Sequence, residues 1–297
     1  MTDLPSAMIL AAGFGTRLRP LTDELPKPLV PVGDRAAVAH VVDRLVKAGI
    51  REAVLNTHHL GGAFTPERIA SLPLRLRVVH ERTILGTAGG VVNAAPLLGD
   101  GDVILWNGDI LADIDIAALL EAHRSARAPA TMVVAPRPRG EGTVGLDEGG
   151  AIVRLRGELF GEEARGGDFL GIYAIGPVLR ARLPREGCLI GDGCLPALRA
   201  GERIGSVTVT TAWDDIGSIA SYLRANRRWL GRLEMRNFVG EGAKIAEGVT
   251  LEDAVVGAGA RVGGRGIVRG AVIWPGARVE APLDGVVVTT AGLVARG

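Results

Sequence analysis

A chain of 297 residues that is 47% hydrophobic can build one large core or two ordinary domains. Its 34 basic and 33 acidic side chains nearly cancel, to +1, so no global field advertises a nucleic-acid or membrane partner. The opening MTDLPSAMILAAG lacks a basic leader segment, no apolar run could span a bilayer, and Cys188 and Cys194 are too few for a disulfide framework or a zinc site; a soluble, cytoplasmic protein with two packing thiols is expected.

In chain order, AMILAAG (7–13) reads as a buried strand that breaks at glycines. Val38, Val41, Val42, Leu45 and Val46 recur at helical spacing and predict an amphipathic helix ended by Gly49. REAVLNTH (51–58), LRLRVVHE (74–81), DVILWNGDIL (102–111), ATMVVAPRP (130–138) and GSVTVTTAW (205–213) read as further strands. PLLGDG (96–101) supplies a turn and DIDIAALLEAHRSAR (113–127) a helix, with Asp113 and Asp115 at its start, where carboxylates favour the dipole. Strand and helix alternation to about Leu233 predicts an α/β fold: a Rossmann-like mixed, mostly parallel sheet flanked by helices. In such sheets ligands bind beyond the carboxyl ends of strands, so the residues after Leu10, Leu105 and the 205–213 strand are the places to look.

From about Arg236 the texture changes. Val239, Ile245, Leu251, Val256, Val262, Ile267, Ile273 and Val279 recur every five or six residues among glycines and small residues. This hexapeptide period predicts a short left-handed β-helix, with one aliphatic per strand pointing inward and APLDGVVVTTAGLVARG capping the last coil. Two domains follow, 1–233 and 236–297, and a homo-oligomer is the default for such prisms. A chain cut near Leu233 is expected to keep some activity but lose assembly or stability, because every candidate site residue precedes the cut.

The candidate chemistry starts in Gly13-Phe-Gly15-Thr16-Arg17-Leu18. Leu18 replaces the third glycine of a dinucleotide fingerprint and no Walker lysine follows, which leaves a glycine loop able to approach phosphate or a base, with Arg17 as a cationic arm. The only lysines are Lys27, Lys47 and Lys244. Lys47 fits the polar face of a helix, whereas Lys27 stands between Pro26 and Pro28, which limit the entropy lost in fixing its ammonium. His58 and His59 end a strand with no third ligand beside them, so a metal site there is not expected.

The string L-A-A-G-x-G-T-R-L-x-P-L-T-x-x-x-P-K-P-L-V-P-V (10–32), followed in order by LGTAGG (85–90), NGD (107–109), TVG (143–145), FLGIY (169–173) and WDDIG (213–217), resembles the sugar-1-phosphate nucleotidylyltransferases. The resemblance spans almost the whole chain, hexapeptide repeats included. It implies transfer of a nucleotidyl group from a nucleoside triphosphate to a sugar 1-phosphate by in-line attack on the α-phosphorus, without nucleic acid or membrane. On this resemblance Arg17 and Lys27 are catalytic. Leu10, Ala11, Ala12, Gly13, Gly15, Thr16, Arg17, Glu81, Gly86 and Thr87 bind the nucleotide, and Asp109 and Asp215 hold Mg²⁺. Lys27, Asn107, Gly145, Arg156 and Gly171 bind the sugar phosphate.

One departure bears on the sugar. Many members carry a second lysine in a V-E-K-P-like block, where this chain reads AIVRLRGELFGEE, so Arg154 or Arg156 takes its place or the sugar phosphate is held differently. Some bacterial uridylyltransferases for amino-sugar phosphates also lack the block. At the base, related uridylyl- and thymidylyltransferases often place a glutamine where this chain has Glu81. A carboxylate accepts, matching guanine's adjacent N1–H and N2–H donors, and the E-x-x-x-L-G-T-A-G spacing resembles mannose-1-phosphate guanylyltransferases. GTP and mannose 1-phosphate are therefore expected. The alternatives are a uridylyltransferase, a non-catalytic nucleotide-sugar-binding regulatory subunit, and an acyltransferase, which would need a histidine in the helix; the last histidine here is His123.

Overall fold

A computed structural model of the chain describes residues 6–296; the leader reading of the first five residues lies outside that range. The chain divides into two compact units, one formed by the residues up to Gly13 with Val41–Ala212, the other by Phe14–His40 with Trp213 onward. The change of texture near residue 235 coincides with the end of the helix Ile219–Arg232 and the first short strand, Phe238–Val239. The units follow a different division, because the segment after the glycine loop groups with the C-terminal part. Among the described residues no helix is long and apolar enough to cross a membrane.

The first unit is mixed α/β with a largely parallel central sheet. Strand Ser6–Leu10 runs parallel between Glu52–Thr57 and Val103–Asn107, with Met8 opposite Val54 and Leu105. Arg75–His80 extends the parallel side. Ala7, Met8 and Ile9, and Val103 through Trp106, are all at most 1% exposed, as a strand covered on both faces requires. The FLGIY segment departs from the simple alternation: it belongs to a long strand, Arg165–Ile175, that runs antiparallel to Val103–Asn107 and carries Ala130–Arg137 on its other side. Its first residues pair instead with Val144–Leu146, which leads into the short strands Ile152–Leu155 and Glu158–Leu159.

The helix expected from Val38 to Val46 spans Ala37–Lys47. Gly49 closes it at φ +86°, its N–H donating to Val46 and that of Ile50 to Leu45, a left-handed cap that a side chain would strain. Asp115 caps the helix Ile116–Ala126 by accepting from the Ala118 N–H at 3.0 Å, while Asp113 pairs with Arg44 at 2.9 Å. Two expectations need correction. GSVTVTTAW is not one strand: Gly205–Thr208 joins the sheet, the chain leaves after Val209, and the Thr211 hydroxyl donates to the Asp113 carbonyl before a second strand starts at Trp213. PLLGDG is not only a turn, because Pro96, Leu97 and Leu98 finish a helix, Gly86–Leu98. That helix carries no amphipathic signature because Ala88, Gly89, Gly90, Val91 and Ala94 are buried while Ala95, Pro96 and Leu97 on its exposed side are apolar too. Its glycines permit close approach, since a Cβ on Gly89 would lie 2.3 Å from the Arg185 carbonyl oxygen.

In the second unit, short parallel strands stack at an offset that is seventeen residues through most of the stack and fifteen at its end. Phe238 pairs with Val255 and Val255 with Val272, Lys244 with Arg261 and Arg261 with Arg278, each partner seventeen residues on, the sum of two six-residue steps and one of five. Val256, Val262, Ile273 and alanines 254, 260, 271 and 277 fill the interior. The inward aliphatic of the next step is Val268, at 0% exposure, and not Ile267, at 40%, because Leu251 pairs with Val268. The pattern predicts that Val268→Ala costs about 2 kcal/mol in a denaturant melt, while Ile267→Ala costs less than about 0.5 kcal/mol; equal losses would contradict this register.

Candidate functional site

In the first unit the glycine loop is held from beneath by buried polar groups. The Leu10 carbonyl accepts from Gly108 N–H at 2.9 Å. The next amide, Ala11 N–H, donates to Asn56 Oδ1 at 2.8 Å, and Asn56 Nδ2 donates to Glu81 Oε1 at 2.7 Å. The other carboxylate oxygen, Oε2, accepts from Leu85 N–H at 3.1 Å. Asn56 and Glu81 are 3% and 2% exposed, so this bracket is internal. The carboxylate proposed from sequence for a guanine edge therefore already binds two groups of its own chain. Gly90 admits the bracket, since a Cβ there would stand 2.8 Å from Asn56 Nδ2 and 3.0 Å from Glu81 Oε1. Asn56 was not singled out from sequence, although a polar residue ending the apolar run AVL is the kind of buried group that must be partnered. Ala11 and Ala12 are buried and Gly13 is exposed, with nothing within 4 Å of the Cβ it lacks; the fold does not demand glycine there, but a ligand approaching the backbone would.

Gly86 and Thr87 begin the helix that follows the bracket. A Cβ on Gly86, at φ +75°, would lie 2.2 Å from the Gly187 carbonyl oxygen, and the Thr87 hydroxyl accepts from Leu189 N–H at 2.7 Å. Both serve the 185–189 loop. At the end of the central strand Val103–Asn107, Asn107 packs beneath Gly171, where φ is +71° and a Cβ would fall 2.3 Å from Nδ2. Asn107 Oδ1 is buried without a hydrogen-bond partner, an acceptor held ready, and Asp109 is half-buried two residues on. Gly145 is glycine because the Glu163 carboxyl would lie 2.5 Å from its Cβ.

The two arginines offered for the missing lysine are both engaged within the chain. Arg154 forks onto Glu163, Nε to Oε2 at 2.7 Å and Nη2 to Oε1 at 3.2 Å, and also donates to the carbonyls of Glu141, Gly142 and Val144. Its hydrogen bonds hold the Glu163 carboxyl below the usual carboxylate range. Arg156 stands on a two-residue hairpin turn, φ +51° followed by Gly157 at +82°, and its Nη2 donates to Cys188 Sγ at 3.0 Å. Cys194 is buried, which pushes its thiol up to about 12, in keeping with a packing role. His58 Nδ1 donates to the Glu81 carbonyl at 2.9 Å, and among the described residues no group of three or more His, Cys, Asp or Glu is gathered for a metal.

The second unit holds the cationic residues. Gly15, at φ +64°, opens the single turn Thr16–Leu18, in which Thr16 and Arg17 are exposed and Leu18 is buried. Here glycine is required by the fold, for a Cβ would sit 2.7 Å from Thr22 Cγ2. Lys27 begins a second turn, Lys27–Leu29, entered from the extended Pro26; its side chain is 11% exposed and Nζ lies 3.6 Å from Asp215 Oδ1. That is close enough for charge attraction and too long for a hydrogen bond. Asp215 Oδ1 is buried with no hydrogen-bond partner. Gly217, unremarked in the sequence beyond its block, makes the arrangement possible: a Cβ would stand 2.8 Å from Asp215 Oδ1 and 3.3 Å from Arg17 Nη2. Asp214 points the other way, as alternation along a strand dictates, and is buried against Arg228 at 2.8 Å and Arg224 at 3.8 Å. Burial raises its carboxyl and these arginines oppose the rise.

Known proteins match these features. A family model described as Nucleotidyl transferase matches residues 6–157. A mannose-1-phosphate guanylyltransferase of Mycobacterium tuberculosis is 38% identical over 151 residues, 50% of this chain, and the match covers 42% of that relative's length. A UTP–glucose-1-phosphate uridylyltransferase of Synechocystis is 30% identical over 269 residues, 82% of this chain and 68% of the relative. The crystal structure of HddC from Yersinia pseudotuberculosis complexed with GMP-PN shares the fold, with a TM-score of 0.65 at 19% identity over 76% of this chain and 100% of the other.

The bracket predicts a measurable cost. Asn56→Ala strands the Ala11 amide and a Glu81 oxygen away from water, and should lower unfolding stability by about 2–3 kcal/mol. An unchanged denaturant midpoint would show that the bracket carries no energy.

Proposed function

This chain belongs to the nucleotidyl transferase family, and we propose that it transfers a nucleotidyl group from a nucleoside triphosphate to a sugar 1-phosphate. A phosphate oxygen of the sugar attacks the α-phosphorus, the bond from that phosphorus to the bridging oxygen breaks, and pyrophosphate departs with the electron pair. Both reactants are anions, so positioning and charge neutralisation supply most of the acceleration. The observation that carries the reading is the cluster of Arg17, Lys27 and Asp215 around Gly217. The Arg17 guanidinium forks onto the triphosphate. Lys27, half-enclosed and set between prolines, brings a compact ammonium to the attacking and α-phosphate oxygens. The backbone of Leu10 through Gly13 receives the nucleotide, and the orphan acceptor Asn107 Oδ1 takes a hydroxyl of the sugar.

The donor set suits magnesium, which takes hard oxygen ligands and often only one or two carboxylates beside phosphate. We propose Asp215 and Asp109 as those carboxylates; the buried, unbonded Oδ1 of Asp215 is the oxygen such an ion would use. When bound, the ion would neutralise charge on the phosphates. GTP and mannose 1-phosphate are the preferred substrates on the strength of the E-x-x-x-L-G-T-A-G spacing and the Mycobacterium relative. The Synechocystis relative makes uridylyl transfer the competing reading. We also read the seventeen-residue stacking of the C-terminal strands as a short left-handed β-helix through which copies of the chain associate.

Lys27→Ala should lower kcat for pyrophosphate release by about a hundredfold or more with an unchanged melting temperature, and Lys27→Arg should recover little of it, since a planar fork cannot replace an ammonium. Near-normal turnover in Lys27→Ala would remove Lys27 from the chemistry. EDTA should abolish activity, and Asp109→Asn or Asp215→Asn should raise the Mg²⁺ concentration needed for half-maximal rate; EDTA-resistant turnover would refute the metal. Glu81→Gln separates two roles for that carboxylate. Acting through Asn56 on the loop, it should raise KM for GTP and UTP together. A change in their ratio would mean that Glu81 touches the base.

A further inference from the structure

The segment carrying Lys27 is fastened on both sides by groups from the C-terminal part of the chain. Three residues before it, the Glu24 carboxylate accepts from the Thr289 hydroxyl and, at 3.2 Å, from Ala291 N–H. Four residues after it, the Pro31 carbonyl accepts from the Tyr222 hydroxyl, which in turn accepts from Trp274 Nε1–H at 3.0 Å. Gly33 N–H donates to Asn226 Oδ1 at 2.8 Å, and Gly33 lies so flat on Trp229 that a Cβ would be 2.1 Å from the indole. Asn226 Nδ2 closes the set on the Tyr222 carbonyl at 3.0 Å.

These fasteners are internal. Tyr222 and Thr289 are 0% exposed, Trp274 1% and Asn226 2%. Burial raises the Tyr222 phenol above its ordinary value, so it remains a protonated donor to Pro31. A buried hydrogen-bonding group stranded without its partner is costly, so each bond restricts the turn between them. None of these residues belongs to the signature blocks, and Trp274 and Thr289 lie among the stacked strands.

We propose that the C-terminal stacked strands position the catalytic lysine: Trp274 acting through Tyr222 on Pro31, and Thr289 acting on Glu24, hold the Lys27 turn in its working geometry. This rests on the role given to Lys27 above and goes beyond it by assigning positioning residues some 195 to 262 places away in sequence. It also reverses the expectation that a chain cut near Leu233 stays active, because the cut removes Trp274, Thr289 and Ala291. The stacked strands thereby join the catalytic apparatus.

The chain's three lysines make a direct test possible. Lys47 and Lys244 are exposed and serve as internal references for acetylation by acetic anhydride, read by mass spectrometry on the folded full-length protein. Thr289→Val removes the hydroxyl at nearly constant shape, Thr289→Ser restores it, and Tyr222→Phe breaks the other fastener. Thr289→Val and Tyr222→Phe should each raise Lys27 acetylation about threefold against both references and lower kcat about tenfold, with KM for both substrates within about twofold, because displacement of the ammonium affects the reacting geometry more than binding. Thr289→Ser should behave as wild type in both readouts. Faster labelling without loss of kcat would uphold the fastening and sink the catalytic role of Lys27. Unchanged labelling in both folded variants would overturn the proposal.

Discussion

A buried carboxylate oxygen with no hydrogen bond of its own, Asp215 Oδ1, sits at the centre of the second unit's cluster. Asp215 Oδ1 and Arg17 Nη2 both lie within 3.3 Å of the point where Gly217 lacks a Cβ, and Lys27 Nζ approaches the same oxygen without bonding to it. The unbonded oxygen of Asp215 suits a hard cation, and the two cationic side chains beside it suit an incoming polyanion. Gly217 is the constraint behind it, because any side chain there would displace one partner or the other.

The rest of the second unit can be understood as support for that cluster. Buried hydrogen bonds from the helix Ile219–Arg232 and from the stacked strands hold the loop that carries the lysine, and a separate ion cluster fixes Asp214 behind Asp215. The first unit meets a parallel need with a buried amide–carboxylate pair. The Asn56–Glu81 bracket fixes the Ala11 amide, and glycines at 86, 89 and 90 let a helix lie close enough to complete it. In each unit a loop of the site is held in place by buried polar groups, as a pre-organised site requires.

Much of this was legible in sequence, and the gaps have physical causes. Buried parallel strands such as 103–107 are readable because a strand covered on both faces is apolar throughout, and Gly49 marks a helix end because only a left-handed residue closes it so. The helix 86–98 was hidden, since its exposed positions include Ala95, Pro96 and Leu97 and so give it no polar face to create a period. Ile267 and Val268 could not be ranked because both are aliphatic and the five-residue step falls next to them; pairing with Leu251 decides. In the site, Arg17 and Lys27 were singled out by residue type and spacing and Asp215 by the family resemblance. Asn56, Gly217 and the Trp274–Tyr222 relay were not, because their roles are contacts between segments far apart in the chain, and Glu81 was found with its environment unseen.

The central claim is that attack occurs at the α-phosphorus. Supplying GTP labelled with ³²P at the α- or at the γ-position, together with mannose 1-phosphate and Mg²⁺, tests it directly. The account predicts that the α-label appears in the nucleotide sugar and the γ-label only in pyrophosphate. Recovery of γ-label in the sugar product, or of α-label only in unreacted or hydrolysed nucleotide across a panel of sugar phosphates with GTP and UTP, would contradict it.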